Sequence, residues 1–198
     1  MAKGQSQRKY KGIRSIGALV LGAAGFTITT LAGCIQVPEQ TPYPPLHTML
    51  DSNESMVRLY CAPVPGYKEI ATHPWFVVKR SGEDHFDRWE IAAFSGQFRY
   101  ELAIRADGVY GNIYKNIAGP DEFFGAAGWV QAELRGPDAD PIIDFIESQS
   151  PHYPCRFTYT LFPGPNSNSY AQWVLDHTGW DAQLPPTAIG MDYVPDCP

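Results

Sequence analysis

Residues 73–94, HPWFVVKRSGEDHFDRWEIAAF, give the clearest indication of the fold. Two runs of β-branched and aromatic residues flank the polar turn at 81–87, a pattern that predicts a β-hairpin. Similar short runs at 57–64, 97–104 and 109–116 predict further strands. We therefore expect a mainly antiparallel sheet in the first half of the folded region.

Helical patterns follow in the second half of the chain. Residues 121–134 and 139–150 each come after a Gly-Pro step that suits the first turn of a helix, and a third helix is predicted from about Asn168 to His177. One more strand is predicted at 156–162. This order favours an α+β fold, with a mainly antiparallel sheet and three helices in the second half.

The N-terminus has the order of an export signal. Residues 3–14 are basic and residues 15–33 carry no charge, as in a secretory signal peptide. The uncharged run is almost long enough to cross a bilayer, so a retained membrane helix is the competing interpretation. LAGC at 31–34 resembles the bacterial lipobox, in which the peptidase cuts before a cysteine that has taken a diacylglycerol. We therefore predict a lipoprotein signal peptide at 1–33 and lipidation of Cys34.

Acyl chains on Cys34 would hold the protein on the lipid bilayer of a bacterial cell envelope. By resemblance to Gram-negative lipoproteins, Ile35 in place of aspartate favours the outer membrane. Residues 34–56 contain four prolines and predict a semi-extended tether, although the part after Leu46 can equally pack along the domain. Residues 57–198 are predicted to form a single globular α+β domain.

Composition excludes several kinds of partner. The chain has 15 basic and 21 acidic residues, and removal of residues 1–33, which hold five of the basic ones and no acid, changes the formal charge from −6 to −11. Such a charge repels phosphate backbones, so no nucleic acid partner is expected. The histidines and cysteines do not fall at metal-ligand spacing, and we expect neither a metal nor a cofactor.

Three cysteines follow Cys34, namely Cys61, Cys155 and Cys197. An exported protein meets an oxidising compartment, so one disulfide and one free thiol can form. Cys155 with Cys197 is the pair we select, although the spacing does not decide it.

Asn166-Ser167-Asn168 joins a predicted strand to a predicted helix. Asn and Ser at this place cap helix N–H groups, which is the simpler interpretation. The same helix end attracts an anion, so Asn166 and Asn168 are candidate binding residues and Ser167 is a candidate nucleophile. His73 lies at the start of a strand, a position typical of a half-buried, hydrogen-bonded histidine.

Three segments of the chain carry a resemblance to a known family. HPWFVVKR with RWEI, FPGPNSNSYAQWV and LPPTAIGMDY are similar to segments of the bacterial family called domain of unknown function 3750. The similarity covers about residues 57–193. No activity is established for that family, so the resemblance implies no reaction.

A more distant resemblance is to circularly permuted NlpC-type, papain-like peptidases, which place a histidine on an early strand and Asn-Cys-Asn at the start of a late helix. The resemblance implies that Ser167 takes the position of the cysteine and His73 that of the base. A serine depends more on its base and oxyanion donors than a thiol does. No third residue to orient the ring is clear: the nearest polar candidates are Ser95 and Gln97, and Glu90 lies further along the strand, opposite about Val77, where it can equally be an ordinary surface carboxylate.

Two functions remain open. The first is a noncatalytic module of papain-like architecture that binds an envelope component, either cell-wall peptide or another protein. The second is a serine-dependent amidase, peptidase or acyl-transferring hydrolase with Ser167 as nucleophile and His73 as base.

Overall fold

The structure is a computed structural model and describes residues 43–50, 52–93, 109–193 and 197. These residues belong to one compact unit, Pro42–Pro198. The predicted signal peptide, Cys34, the first part of the tether and the predicted strand at 97–104 lie outside the described residues. Neither α-helix of the described part combines the length and apolar composition that crossing a membrane requires.

A five-stranded antiparallel sheet forms the centre of the fold. Its strands are β1 (Met56–Pro63), β2 (Thr72–Lys79), β3 (Asp87–Ala92), β5 (Asn112–Lys115) and β8 (Trp129–Arg135). They lie in the order β5-β3-β2-β1-β8, and every neighbouring pair is antiparallel. Four two-residue strands form two small pairs, β4 (Val109–Tyr110) with β9 (Thr158–Tyr159) and β6 (Glu122–Phe123) with β7 (Ala126–Ala127). The predicted α+β class with a mainly antiparallel sheet is confirmed.

The hairpin of β2 and β3 forms as predicted, but its register differs by two residues. Val77 lies opposite Arg88, not opposite Glu90 as the sequence suggested. A shift of two residues leaves each side chain on its expected face, because side chains alternate along a strand. The observed register therefore brings Glu90 closer to His73 than the sequence suggested.

Both faces of the sheet are buried, which explains why β2 and β3 are buried at every position. On the side called here the helix face, Leu59, Phe76 and Ile91 join a core completed by the two α-helices. On the other side, the hairpin face, Tyr60, Trp75 and Val77 pack with Phe123 from the β6–β7 hairpin. Leu46 and Met49, from a short 3-10 helix (Leu46–Met49), cover the same face.

Two α-helices occur in the described residues, α1 (Asp140–Gln149) and α2 (Ser167–Thr178), close to two of the predicted helices. The prediction of a helix at 121–134 is wrong, so the predicted count of three is too high. Phe124 and Gly125 have φ angles of 50° and 77° and turn β6 back into β7. The residues that follow form β8, which extends the sheet beside β1. The predicted strand at 156–162 is reduced to β9.

The segment after α2 returns to the body of the domain, and we call residues 184–193 the strap. Its Thr187 carbonyl accepts a hydrogen bond from the N–H of Thr72 at 3.0 Å. Beyond the strap, Cys197 forms a disulfide with Cys155, as selected from the sequence. Cys61 is free and buried, and burial raises the pKa of its thiol to about 12, so that it is unreactive near neutral pH.

Candidate functional site

The start of α2 is capped by the predicted motif. Asn166 is the N-cap residue, and its Oδ1 accepts hydrogen bonds from the N–H groups of Asn168 at 2.9 Å and Ser169 at 3.3 Å. In return, Ser169 Oγ accepts a hydrogen bond from the Asn166 N–H at 3.1 Å. This reciprocal capping box satisfies N–H groups that the first turn of a helix leaves unpaired. The structure therefore gives the motif a capping role.

The same three residues, Asn166, Asn168 and Ser169, also hold the strap through their side chains. The Asn166 and Asn168 Nδ2 groups both donate to the Ile189 carbonyl, at 3.0 and 2.8 Å. Ser169 Oγ donates to the Gly190 carbonyl at 2.7 Å. We call these three bonds the clasp. They join two of the three segments that carry the family resemblance, the one that leads into α2 and the one that forms the strap.

The clasp leaves no room for a side chain at Gly190. Its φ angle is 82°, and a Cβ placed there would lie 2.6 Å from both Asn166 Nδ2 and the Pro163 carbonyl oxygen. Such distances are far inside van der Waals contact, so glycine is required both by conformation and by space. The close approach of the two backbones explains why a glycine follows Ile189.

The candidate binding residues are therefore engaged within the protein itself. Asn166 is 1 % exposed and Asn168 is 2 % exposed, and their amide groups bond to the backbone of the strap and the helix start. A ligand at the surface would meet the strap before it met either amide.

The candidate nucleophile lies at the first position of α2. Ser167 is 2 % exposed, and its hydroxyl is 3.5 Å from the hydroxyl of Tyr159, at the long limit of a hydrogen bond. Tyr159 belongs to the core of the helix face. The Ser167 hydroxyl thus points into the core on that side of the sheet.

The candidate base lies on the hairpin face. His73 Nε2 donates to Glu90 Oε2 at 2.7 Å, and the imidazole stacks on Phe123 with the ring centroids 4.3 Å apart. His73 pairs across the strands with Ala62, a residue of the hairpin-face core. Of the two interpretations drawn from the sequence, the buried, hydrogen-bonded histidine describes this environment.

Glu90 is the residue that sequence reasoning missed. It is 1 % exposed and receives Arg88 on its other side, with Arg88 Nε 2.6 Å from Glu90 Oε1. Burial alone would raise the pKa of Glu90, but hydrogen bonds and positive charge from His73 and Arg88 outweigh burial and hold the pKa below its ordinary value. A buried carboxylate of this kind stays ionised and fixes the His73 ring.

Arg88 connects this pair to the loop that covers it. Its Nη1 donates to the carbonyls of Gly119 at 2.6 Å and Glu122 at 2.5 Å, and its guanidinium lies over the Trp75 ring at 4.3 Å. The alternation of Arg88 and Glu90 on one strand was the available signal, because residues two apart share a face. The two-residue error in register concealed their proximity to His73.

The structure does not bring the two proposed catalytic residues together. Within the described residues, no hydrogen bond joins the His73 ring to the Ser167 hydroxyl, and the two groups belong to opposite faces of the sheet. Serine attack requires a base within hydrogen-bond reach of the hydroxyl. In this conformation the chain provides an oriented histidine and a serine at a helix start, without the contact that would couple them.

A groove of about 580 Å³ lies between the exposed side of α2 and the strap, a volume within the range of small-ligand sites. Ser169 links the groove to the clasp, because it lines the groove and bonds to the strap. The side chains that give the groove its chemistry are aromatic, amide and carboxylate groups: Gln172, Trp173, Asp176, Gln183, Asp192 and Tyr193.

No group of three or more histidine, cysteine, aspartate or glutamate side chains that could hold a metal ion occurs among the residues described. The groove itself is lined by hydrogen-bonding, aromatic and carboxylate side chains.

The chain belongs to a family of proteins of unknown function, DUF3750, whose family model matches residues 54–193. The match includes the hairpin, the motif at the start of α2 and the strap. No curated protein matches the chain, and no solved structure does. Family membership therefore names the domain without assigning an activity to it.

Proposed function

We propose that this protein is a lipid-anchored module of the bacterial cell envelope that binds cell-wall peptide in the groove between α2 and the strap, without catalysing a reaction. The groove is the observation that carries the proposal. It combines an aromatic surface with amide and carboxylate groups, the combination that peptide backbones and their side chains can bind.

The anchor and the tether support the proposed location. LAGC at 31–34 supplies the lipidation site at Cys34, and outer-membrane attachment follows from Ile35 in a Gram-negative cell. At about 3.1 Å per residue, an extended segment from Cys34 to Tyr43 would hold the domain about 30 Å from the membrane surface. That separation suits a module that reaches the cell wall.

The noncatalytic interpretation is supported by the placement of the proposed nucleophile. The Ser167 hydroxyl is buried in the helix-face core, whereas His73 and Glu90 pair on the hairpin face. The chain order of an early histidine strand and a late serine helix is what favours a permuted papain-like architecture. Under our proposal, the domain has that chain order without a functioning dyad.

Co-sedimentation with purified peptidoglycan sacculi tests the binding function. We expect the detergent-solubilised lipoprotein to pellet with sacculi, and Gln172→Trp, which fills the groove with an indole, to remain in the supernatant. Gln149→Trp is the matched control, because Gln149 is an exposed residue of α1 and the substitution is the same. Failure of the wild-type protein to pellet, or equal pelleting of both variants, would contradict the proposal.

An activated phosphonate that labels serine nucleophiles tests the alternative hydrolase function. We expect no labelling of the folded wild-type protein. Covalent labelling that is lost in both Ser167→Ala and His73→Ala would replace our proposal with the hydrolase, because a structural serine has no reason to depend on His73.

Substitution of the anchoring cysteine tests the location. We expect Cys34→Ser to abolish incorporation of radiolabelled palmitate and to release the protein from the membrane fraction or leave it with an uncut signal. Unchanged palmitate incorporation would show that the anchor lies elsewhere.

A further inference from the structure

The groove between α2 and the strap has a one-sided charge. Its lining includes the carboxylates of Asp176 and Asp192, both exposed, and no lysine or arginine. Its remaining ionisable groups are the Tyr193 phenol and the His177 imidazole, whose Nδ1 is bonded to the Trp173 carbonyl at 2.7 Å. An anionic group would therefore meet repulsion here, whereas a cationic group would be attracted.

The same groove offers apolar surface beside the carboxylates. Trp173 and Tyr193 line it together with Met191. The Trp173 ring is held by edge contact with Tyr153 at 5.2 Å and by its neighbour Phe145 at 5.0 Å. An indole fixed in this way can receive an aliphatic stem and an ammonium group through cation–π attraction.

One carboxylate of the groove is oriented before any ligand arrives. Gln172 Nε2 donates to Asp176 Oδ1 at 2.8 Å. The other carboxylate oxygen, Oδ2, is not held by this hydrogen bond. A primary ammonium group has three donors, which suits two carboxylates and an amide oxygen. These contacts favour a flexible ammonium on a methylene stem over a neutral sugar, whose hydroxyls can donate to the carboxylates but bring no positive charge to pair with them.

From this combination we infer that the groove recognises the free primary amine of a diamino-acid side chain in an uncross-linked cell-wall stem peptide. The inference rests on the proposed function and specifies its ligand. A peptide cross-link converts that amine into an uncharged amide, which keeps the stem but loses the ammonium. The module would therefore distinguish uncross-linked wall from cross-linked wall.

Chemical acetylation of sacculi tests the contribution of the free amine to binding separately from that of the rest of the wall. Acetic anhydride caps free amines and leaves the glycan and the peptide backbone in place. We expect the solubilised lipoprotein to bind acetylated sacculi about tenfold more weakly than untreated sacculi, a factor that one cation–π contact and two exposed ion pairs can provide. The difference should shrink as salt is raised.

A charge-neutral variant identifies the residues responsible. Asp176→Asn with Asp192→Asn should bind untreated and acetylated sacculi alike, at the weaker level. Asp84→Asn with Asp138→Asn is the control, because it removes the same charge from exposed sites outside the groove and should preserve the discrimination.

The outcomes separate the inference from the proposed function. If wild-type protein binds both kinds of sacculi equally and Gln172→Trp binds neither, the groove is the binding site and the amine specificity is refuted. If wild-type protein binds neither kind, the proposed function itself fails. If the control pair loses discrimination as fully as the groove pair, general charge is responsible and the inference is overturned.

Discussion

Substitution of Asn166 by alanine should cost far more stability than substitution of Ser167. Loss of an N-cap side chain costs about 1 kcal/mol. Asn166 also donates to the Leu161 carbonyl at 2.8 Å, and a buried carbonyl that loses its donor costs about 1–3 kcal/mol. The bond to Ile189 is shared with Asn168, so its loss adds less. The total is about 3 kcal/mol.

Ser167→Ala is the contrasting substitution. Among the residues described, its hydroxyl has one hydrogen bond, a long one to Tyr159 at 3.5 Å, so the expected cost is about 0.5 kcal/mol. Asn168→Ala lies between them at about 1 kcal/mol. It removes one clasp bond, but it also removes an Oδ1 that is buried without a hydrogen-bond partner among the residues described.

Urea unfolding followed by tryptophan fluorescence measures these differences. A loss of about 3 kcal/mol in Asn166→Ala corresponds to a fall in Tm of about 6–12 °C for a domain of this size. If Asn166→Ala does not fold, Asn168→Ala still has to be less stable than Ser167→Ala. Equal loss in Ser167→Ala and Asn166→Ala would refute the conclusion that the motif stabilises the strap through its amides.

Three more predictions concern stability. Gly190→Ala should destabilise the domain by at least as much as Asn166→Ala, because the added Cβ would collide with Asn166 Nδ2 and a backbone oxygen. An unchanged midpoint of thermal unfolding would contradict the conclusion that the clasp leaves no room for a side chain at this position. Cys155→Ser should lower the free energy of unfolding by about 4 kcal/mol, the chain-entropy estimate for a disulfide spanning 42 residues. Urea unfolding of the variant and of the oxidised wild type measures the difference. Equal stability would show that the disulfide does not restrain the unfolded chain. The pKa of Glu90 in the folded protein lies below its ordinary value of 4.5. The ionised carboxylate should therefore contribute fully to the free energy of unfolding above pH 4.5, and this contribution should be lost as the pH falls through the pKa of the folded protein. Glu90→Gln should be less stable than wild type at neutral pH, and its free energy of unfolding should fall less between about pH 5 and pH 3. Urea unfolding repeated at intervals of about one pH unit measures both. Parallel plots of unfolding free energy against pH for the two proteins would show that Glu90 does not contribute.

The central hairpin was predictable because its signals are local. Strand-forming residues flank a polar turn in 73–94, and alternation assigns each side chain to a face whatever the register. The helix at 140–149 was also predictable from its Gly-Pro start and its apolar spacing. These parts of the fold need little knowledge of distant contacts.

The segment at 121–134 was misinterpreted for a physical reason. Its alanine, glutamate and leucine residues favour a helix locally, but pairing of β8 with β1 and the positive φ angle at Phe124 override that preference. A positive φ angle is uncommon for residues other than glycine, so a phenylalanine in the sequence gives no indication of it. Pairing with a strand some 70 residues away is likewise absent from a local pattern.

The candidate site was predictable in its residues more than in its arrangement. The capping motif at Asn166 was visible, whereas its bonds to Ile189 required knowledge of where the strap returns. The partnership of His73 with Glu90 depended on a register that the turn at 81–87 did not fix. The groove arises from two segments that are separated in the chain, and only the folded structure brings them together.

An NMR titration of the ¹⁵N-labelled protein with a soluble, uncross-linked stem peptide shows directly whether the groove binds cell-wall peptide. We expect the largest amide shift changes on residues 172–177 and 184–193, the two walls of the groove. We expect little change around His73 and Glu90. Shift changes centred on His73, or none at saturating peptide, would contradict binding in the groove.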